Sequence, residues 1–277
     1  MAEQSTAPDL ETDLVVRRRG RRPGEAPTLF LLHGLTDCAD GWLGALDHWD
    51  DAYALVAVDQ RGHGDSPRFT EDQLRAHPGE VMVDDAVHLL EQLPEPAVLV
   101  GHSLGGAVAL TVAVRRPDLV RGVLAEDPAP LLPDEPQVDP DHGKRIQADL
   151  QDSLTADDEA DLLDRRRAKH PGWRADELLV TGLAEQRMDL DYVRHGDFKP
   201  VTPWPELFEQ IKVPTLVISG GDFSDICITE EIEDGIAEID NPHVTLTRVA
   251  GAAHCVRRAQ PETFYQLADD WLEQLAR

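Results

Sequence analysis

Ser103 stands between two glycines in the run Val98-Leu99-Val100-Gly101-His102-Ser103-Leu104-Gly105-Gly106-Ala107, where an apolar strand pattern gives way directly to an apolar helical one. Glycine at the flanking positions removes Cβ atoms where strand and helix crowd the turn. The serine can then take a strained backbone and project its hydroxyl above the sheet. Leu104 would offer its N–H at the helix N-terminus, where the dipole and unpaired donors favour an oxyanion. No Gly-Lys-Ser/Thr follows, which excludes a phosphate-binding P-loop. A serine hydroxyl is a poor nucleophile near neutral pH, so this chemistry needs a base, and histidine titrates in the required range. The chain has 11 histidines. His33 and His63 sit in turns that suit structural imidazoles bonding the backbone, and His102 flanks the serine with its side chain directed elsewhere. His254 follows a strand and the unbulky turn Gly251-Ala252-Ala253, which suits a mobile imidazole at a sheet edge, and is the expected general base.

The elements that must position these residues are legible in the apolar runs. Thr28 to Leu32, Ala54 to Val58, Ala97 to Val100, Leu119 to Leu124, Thr215 to Ile218 and Val244 to Val249 read as short, nearly all-apolar strands, the pattern of a sheet covered on both faces. Helical stretches fall between several of them, at Val81 to Leu93, Leu104 to Arg116, Thr229 to Ile239 and Pro261 to Leu275. Strand alternating with helix implies right-handed crossovers and an α/β fold with a mainly parallel sheet. Leu14 to Arg18, followed by Gly20 and Pro23-Gly24, reads as an antiparallel edge strand. The rhythm fails between about Pro130 and Pro205, where a proline-rich stretch precedes a charged run from Asp149 to Lys169. A structureless excursion of that length is unusual in a compact domain, so the expected organisation is a core from 1 to 130, a helical cap from 131 to 205 that shapes the pocket, and a second part of the core from 206 to 277.

In order along the chain, four segments resemble the α/β-hydrolase superfamily, and the likeness extends over essentially the whole length. The first is Phe30-Leu31-Leu32-His33-Gly34-Leu35, similar to the strand and turn that supply the second oxyanion-hole donor, which would be the N–H of Leu35 beside that of Leu104. The others are Asp59-Gln60-Arg61-Gly62-His63-Gly64-Asp65-Ser66, the Ser103 turn itself, and Val249-Ala250-Gly251-Ala252-Ala253-His254, which resembles the loop presenting the catalytic histidine. The resemblance implies a catalytic triad with its acid in the loop Ser219-Gly220-Gly221-Asp222-Phe223-Ser224-Asp225-Ile226. Asp225, in the Ser-Asp-Ile context, is the preferred acid and Asp222 the alternative. Glu126 or Asp127, at a position some relatives use, is a third option. The usual Gly-x-x-Asp spacing counted from Gly220 puts Phe223 at the acid position.

The implied activity is hydrolysis of a small-molecule carboxylic ester or lactone through an acyl-enzyme on Ser103, without metal or organic cofactor: the sequence has no H-E-x-x-H, no cysteine cluster and no G-x-G-x-x-G. A carbon–carbon bond hydrolase of ring-cleavage products is the second enzyme reading. A slow-turnover ligand receptor on the same fold is the reading from another class. Lys plus Arg number 26 against 53 Asp plus Glu, a formal charge of −27, which argues against nucleic acid and anionic membrane partners. The polar, acidic start from Met1 to Asp13 is unlike a secretory signal, and no run approaches a membrane span, so a cytoplasmic location is expected. Cys38, Cys227 and Cys255 are odd in number and free of any CxxC pattern, which points to reduced thiols.

Overall fold

A computed structural model describes residues 10–223 and 225–277; the first nine residues, including most of the acidic start, and Ser224 lie outside the described residues. Seven strands, β1 (Val16–Gly20), β2 (Thr28–Leu32), β3 (Ala54–Val58), β4 (Ala97–His102), β5 (Val120–Glu126), β6 (Thr215–Gly220) and β7 (Val244–Val249), form one sheet in the order β1-β3-β2-β4-β5-β6-β7. Only β1 runs antiparallel, against β3; the other neighbours are parallel. All residues of β2, β3, β4 and β6 are buried, as the unbroken apolar runs require of strands covered on both faces.

Strand alternation divides those residues between two cores. Phe30, Leu32, Val56, Val58 and Leu99 face one side and pack with helices Pro78–Leu90 and Leu104–Arg115. Leu29, Leu31, Leu55, Ala57, Val98 and Val100 face the other, with helices Leu43–Trp49 and Pro261–Leu275. Each buried Leu or Phe contributes about 1.5–3 kcal/mol, so both layers hold the sheet.

Element boundaries depart from the sequence expectation where local chemistry overrides the apolar pattern. The helix expected from Val81 begins at Pro78, because proline suits a first helical position, and it ends at Leu90. Strand β5 starts one residue late and runs on through Glu126. The edge strand is shifted to Val16–Gly20, leaving Leu14 buried in the core before it. Helix Leu43–Trp49 is not marked by any of the expected patterns; it is held by the buried aromatics Trp42 and Trp49.

Six helices lie between β5 and β6: Pro140–Asp149, Gln151–Leu154, Glu159–Lys169, Ala175–Gln186, Leu190–His195 and Trp204–Gln210. Asp139, Asp158 and Asp189 each cap one of them by accepting first-turn N–H groups. The charged run is not simply a solvated face. Arg166 turns inward, pairing with Glu185 at 2.6 Å and donating to Thr181 at 3.1 Å. At the base of this segment the outgoing and returning chains meet, since Leu131 bridges Pro203 and the Trp204 N–H donates to the Leu131 carbonyl at 2.9 Å.

Candidate active site

Ser103 joins β4 to helix Leu104–Arg115 with φ 52° and ψ −118°, a left-handed conformation costly for a residue with a side chain. The strain is held by backbone bonds on both sides: the Ser103 N–H donates to Glu126 O at 3.0 Å, and its carbonyl accepts from Ala107 and Ala129 at 3.0 and 2.9 Å. The two flanking glycines are obligatory for space. A Cβ at Gly101 would stand 2.4 Å from Gly105 O, and one at Gly105 would stand 2.1 Å from Leu32 O. Ser103 is 8 % exposed and faces a cavity together with Leu35, Leu104 and His254.

His254 meets Asp127, not the acids of the loop after β6. Its Nδ1 lies 2.5 Å from Asp127 Oδ2, so the ring donates there. The Asp225 and Asp222 side chains are exposed, and the Asp225 N–H donates to the Asp222 carbonyl at 3.2 Å. The reason is topological. Strands β5 and β6 are neighbours, and the loop leaving β6 folds across the end of β5, where it supplies donors rather than the acid. The N–H groups of Cys227 and Ile228 reach the Asp127 carboxylate at 2.8 and 3.1 Å, and the Ser219 hydroxyl at 2.5 Å. Arg248 in turn donates to Ser219 Oγ at 2.8 Å. Asp127 itself has φ 37°, a turn that carries its carboxylate away from the strand. Glu126, the other member of the third option, is engaged elsewhere: its carboxylate accepts the Arg257 N–H at 2.7 Å and pairs with that residue's guanidinium.

Electrostatics follow this arrangement. Burial alone would raise the Asp127 pKa, but the bonds from His254, Ser219 and Cys227 hold it below the usual carboxylate range. For His254, burial disfavours the charged ring, while the Cys227 sulfur and the Asp127 carboxylate outweigh that cost and raise its pKa well above the ordinary value. His102 does not point away from the site as expected. Its ring packs 4.7 Å from that of His254, centroid to centroid, and burial, with Arg257 and His254 nearby, drives its pKa far down, so it presents a neutral face. Cys255 Sγ lies 3.5 Å from His102 Nε2 and Cys227 Sγ lies 3.8 Å from His254 Nδ1.

His33 shapes the turn that carries Leu35. Its Nε2 accepts the Gln60 N–H at 3.0 Å, which leaves Nδ1 protonated to donate to Gly34 O at 2.8 Å. His63 donates to the Arg61 carbonyl at 3.0 Å, and burial lowers its pKa to about 3. Asp127, Cys227 and His254 place ligand atoms within 4.8 Å of one another, the one such group among the described residues. A metal ion there would have to displace the proton shared by Asp127 and His254.

The cavity holds about 880 Å³. Its floor is the strand-end edge at Leu35, Ser103, Leu104 and His254, and its roof comes from the segment after β5, with Leu132, Ile146, Phe198 and Trp204 supplying apolar surface. At this floor an acyl carbon could meet the serine hydroxyl, with Leu35 and Leu104 lining the same cavity.

A family model described as Alpha/beta hydrolase family matches residues 29–267 of the chain. The chain is 33 % identical over 139 residues to 2-(acetamidomethylene)succinate hydrolase of Mesorhizobium japonicum, covering 47 % of this chain and 49 % of that protein, so it spans about half the length of that relative. It is 30 % identical over 210 residues to lipase LipV of Mycobacterium tuberculosis, covering 73 % of this chain and 74 % of that one. Among solved structures, an E-2-(acetamidomethylene)succinate hydrolase superposes with a TM-score of 0.70 at 22 % identity, over 94 % of this chain and 95 % of that one.

Proposed function

The chain belongs to the alpha/beta hydrolase family, and from that premise we propose that it is a serine hydrolase that cleaves a small-molecule carboxylic ester or lactone through an acyl-enzyme on Ser103. His254 takes the serine proton as Ser103 Oγ attacks the acyl carbon. The N–H groups of Leu35 and Leu104 receive the oxyanion, and the protonated imidazole then delivers its proton to the leaving alcohol. Water, deprotonated by the same ring, releases the acid. Asp127 fixes the Nδ1–H tautomer of His254 and stabilises the imidazolium. Residues 131–205 act as a cap that sizes the acyl pocket, and the protein works in the cytoplasm on a small molecule with no bound cofactor. No described helix is long and apolar enough to cross a membrane.

The observation that carries this reading is the 2.5 Å bond between His254 and Asp127 at the floor of the cavity that also contains the strained Ser103. Turnover of a panel of p-nitrophenyl esters tests it. Wild type should turn over many times, and Ser103→Ala should lose about 10⁴-fold or more in kcat while unfolding at the same denaturant concentration. Turnover retained by Ser103→Ala would overturn the mechanism. A few turnovers only in wild type would favour the receptor reading, and rapid cleavage of a ring-cleavage diketone with slow ester turnover would favour carbon–carbon bond hydrolysis.

A further inference from the structure

The charged groups of the cavity are unequally placed. Lys199 is the only lysine or arginine among the described residues that line it, against the carboxylates of Asp134, Glu135 and Glu231. That one ammonium is already spoken for. Lys199 Nζ donates to both oxygens of Glu135 at 2.7 Å and to the Pro130 carbonyl at 3.0 Å, which accounts for the three donors an ammonium possesses. Glu135 is fixed in turn, because its Oε2 accepts the Leu132 N–H at 3.1 Å. The pair is mostly withdrawn from water, with side chains 18 % and 21 % exposed, so salt screens it less than a surface pair. His142 adds no charge to the wall at neutral pH: it packs edge-on against Phe198 at 5.2 Å, and burial, with Lys199 and Arg145 nearby, lowers its pKa. Asp134 and Glu231 remain as exposed carboxylates at the rim.

Building on the serine-hydrolase reading, we propose that the cavity selects uncharged acyl groups and rejects those bearing a carboxylate, and that Glu135 sets this specificity by occupying Lys199, which would otherwise receive the anion. A substrate carboxylate entering here would lose its water, meet two like charges at the rim and find no free donor among the lysine and arginine side chains of the wall. A hydrocarbon end meets Leu132, Ile146 and Trp204 at no such cost.

Two esters of equal acyl length isolate the effect: p-nitrophenyl valerate, and mono-p-nitrophenyl glutarate, in which a carboxylate replaces the terminal methyl. In wild type, kcat/KM for the glutarate should be about 100-fold lower, carried mainly by KM, and the gap should narrow in 0.5 M salt as the rim charges are screened. Glu135→Gln should raise the glutarate-to-valerate ratio of kcat/KM about tenfold by freeing the ammonium, and lose that gain when combined with Lys199→Met. Lys199→Met alone should leave the glutarate value low. Equal turnover of the two esters by wild type would overturn the proposal. So would a glutarate-specific loss in Lys199→Met, which would make Lys199 a working carboxylate receptor, or an equal change on both esters in Glu135→Gln, which would make Glu135 a structural pin alone. Binding of the same esters to Ser103→Ala, read by quenching of tryptophan fluorescence because Trp204 lines the cavity, measures the selection without turnover. Failure of the serine chemistry would abolish wild-type turnover and still leave this preference visible or refuted in binding.

Discussion

The two walls of the cavity are held by different forces. The wall made of strand ends uses backbone: Ser103 is locked at φ 52° by three main-chain bonds, and the Asp127 carboxylate is received by the N–H groups of Cys227 and Ile228. The side built from the segment after β5 uses charged side chains, with Arg166 paired to Glu185 between its helices and Lys199 paired to Glu135 between its loops at the pocket. Backbone bonds around a buried turn fix atoms closely enough for proton transfer. Side-chain ion pairs in this segment set a shape and a charge, and substitutions can alter them without disturbing the chemistry below.

This contrast predicts effects of different kind and size. The largest falls on the strand-end wall. Asp127→Asn should reduce kcat about 10⁴-fold with the fold intact, whereas Asp225→Asn and Asp222→Asn should stay within a few-fold of wild type in the same ester assay. A several-order loss in Asp225→Asn instead would return the acid to the loop after β6. The same substitution should displace the pH profile. His254 acts as base only when neutral, and its raised pKa places the acidic limb of kcat/KM above the ordinary imidazole range; removing the carboxylate should move that limb to lower pH. For stability the signs differ. Asp127, depressed in the folded state, contributes above the ordinary carboxylate range and loses that contribution on acidification, while His254, raised, loses its contribution as pH rises through its folded value. Unfolding measured against pH should therefore be most resistant below the pH at which the enzyme is most active.

A smaller effect, and one of another kind, belongs to the helical wall. Arg166→Ala leaves Glu185 buried without its partner, since the two side chains are only 6 % and 9 % exposed, and should cost about 3–5 kcal/mol in denaturant unfolding. In protein that remains folded, KM should change more than kcat. A loss confined to kcat would show that this segment also places catalytic atoms, and would erase the distinction between the walls.

Much of the strand-end wall was legible in the residues. Two-sided burial makes a strand a short unbroken apolar run, so β2 and β3 begin and end where the runs do, and the space needed at Gly101 and Gly105 is written in the absence of side chains there. The partner of His254 was harder to read, because it depends on which strand end lies beneath which loop. In sequence, Asp222 and Asp225 follow the expected strand while Asp127 is one of two adjacent acids, Glu126 and Asp127, at the end of another. Nothing local says that Glu126 will be taken by Arg257. A signal was present in the spacing from Gly220, which places Phe223 where an acid would be required. Arg166 was illegible for a similar reason: in a run of arginines and aspartates, only the packing of helices Glu159–Lys169 and Ala175–Gln186 decides which guanidinium turns inward.

The most direct measurement is covalent labelling by a fluorophosphonate, with the modified residue located by peptide mass spectrometry. On folded wild-type protein the adduct should form on Ser103 alone, and its rate should fall sharply in Asp127→Asn. A saturating dose that leaves Ser103 unmodified, or that labels a different residue, would contradict the account.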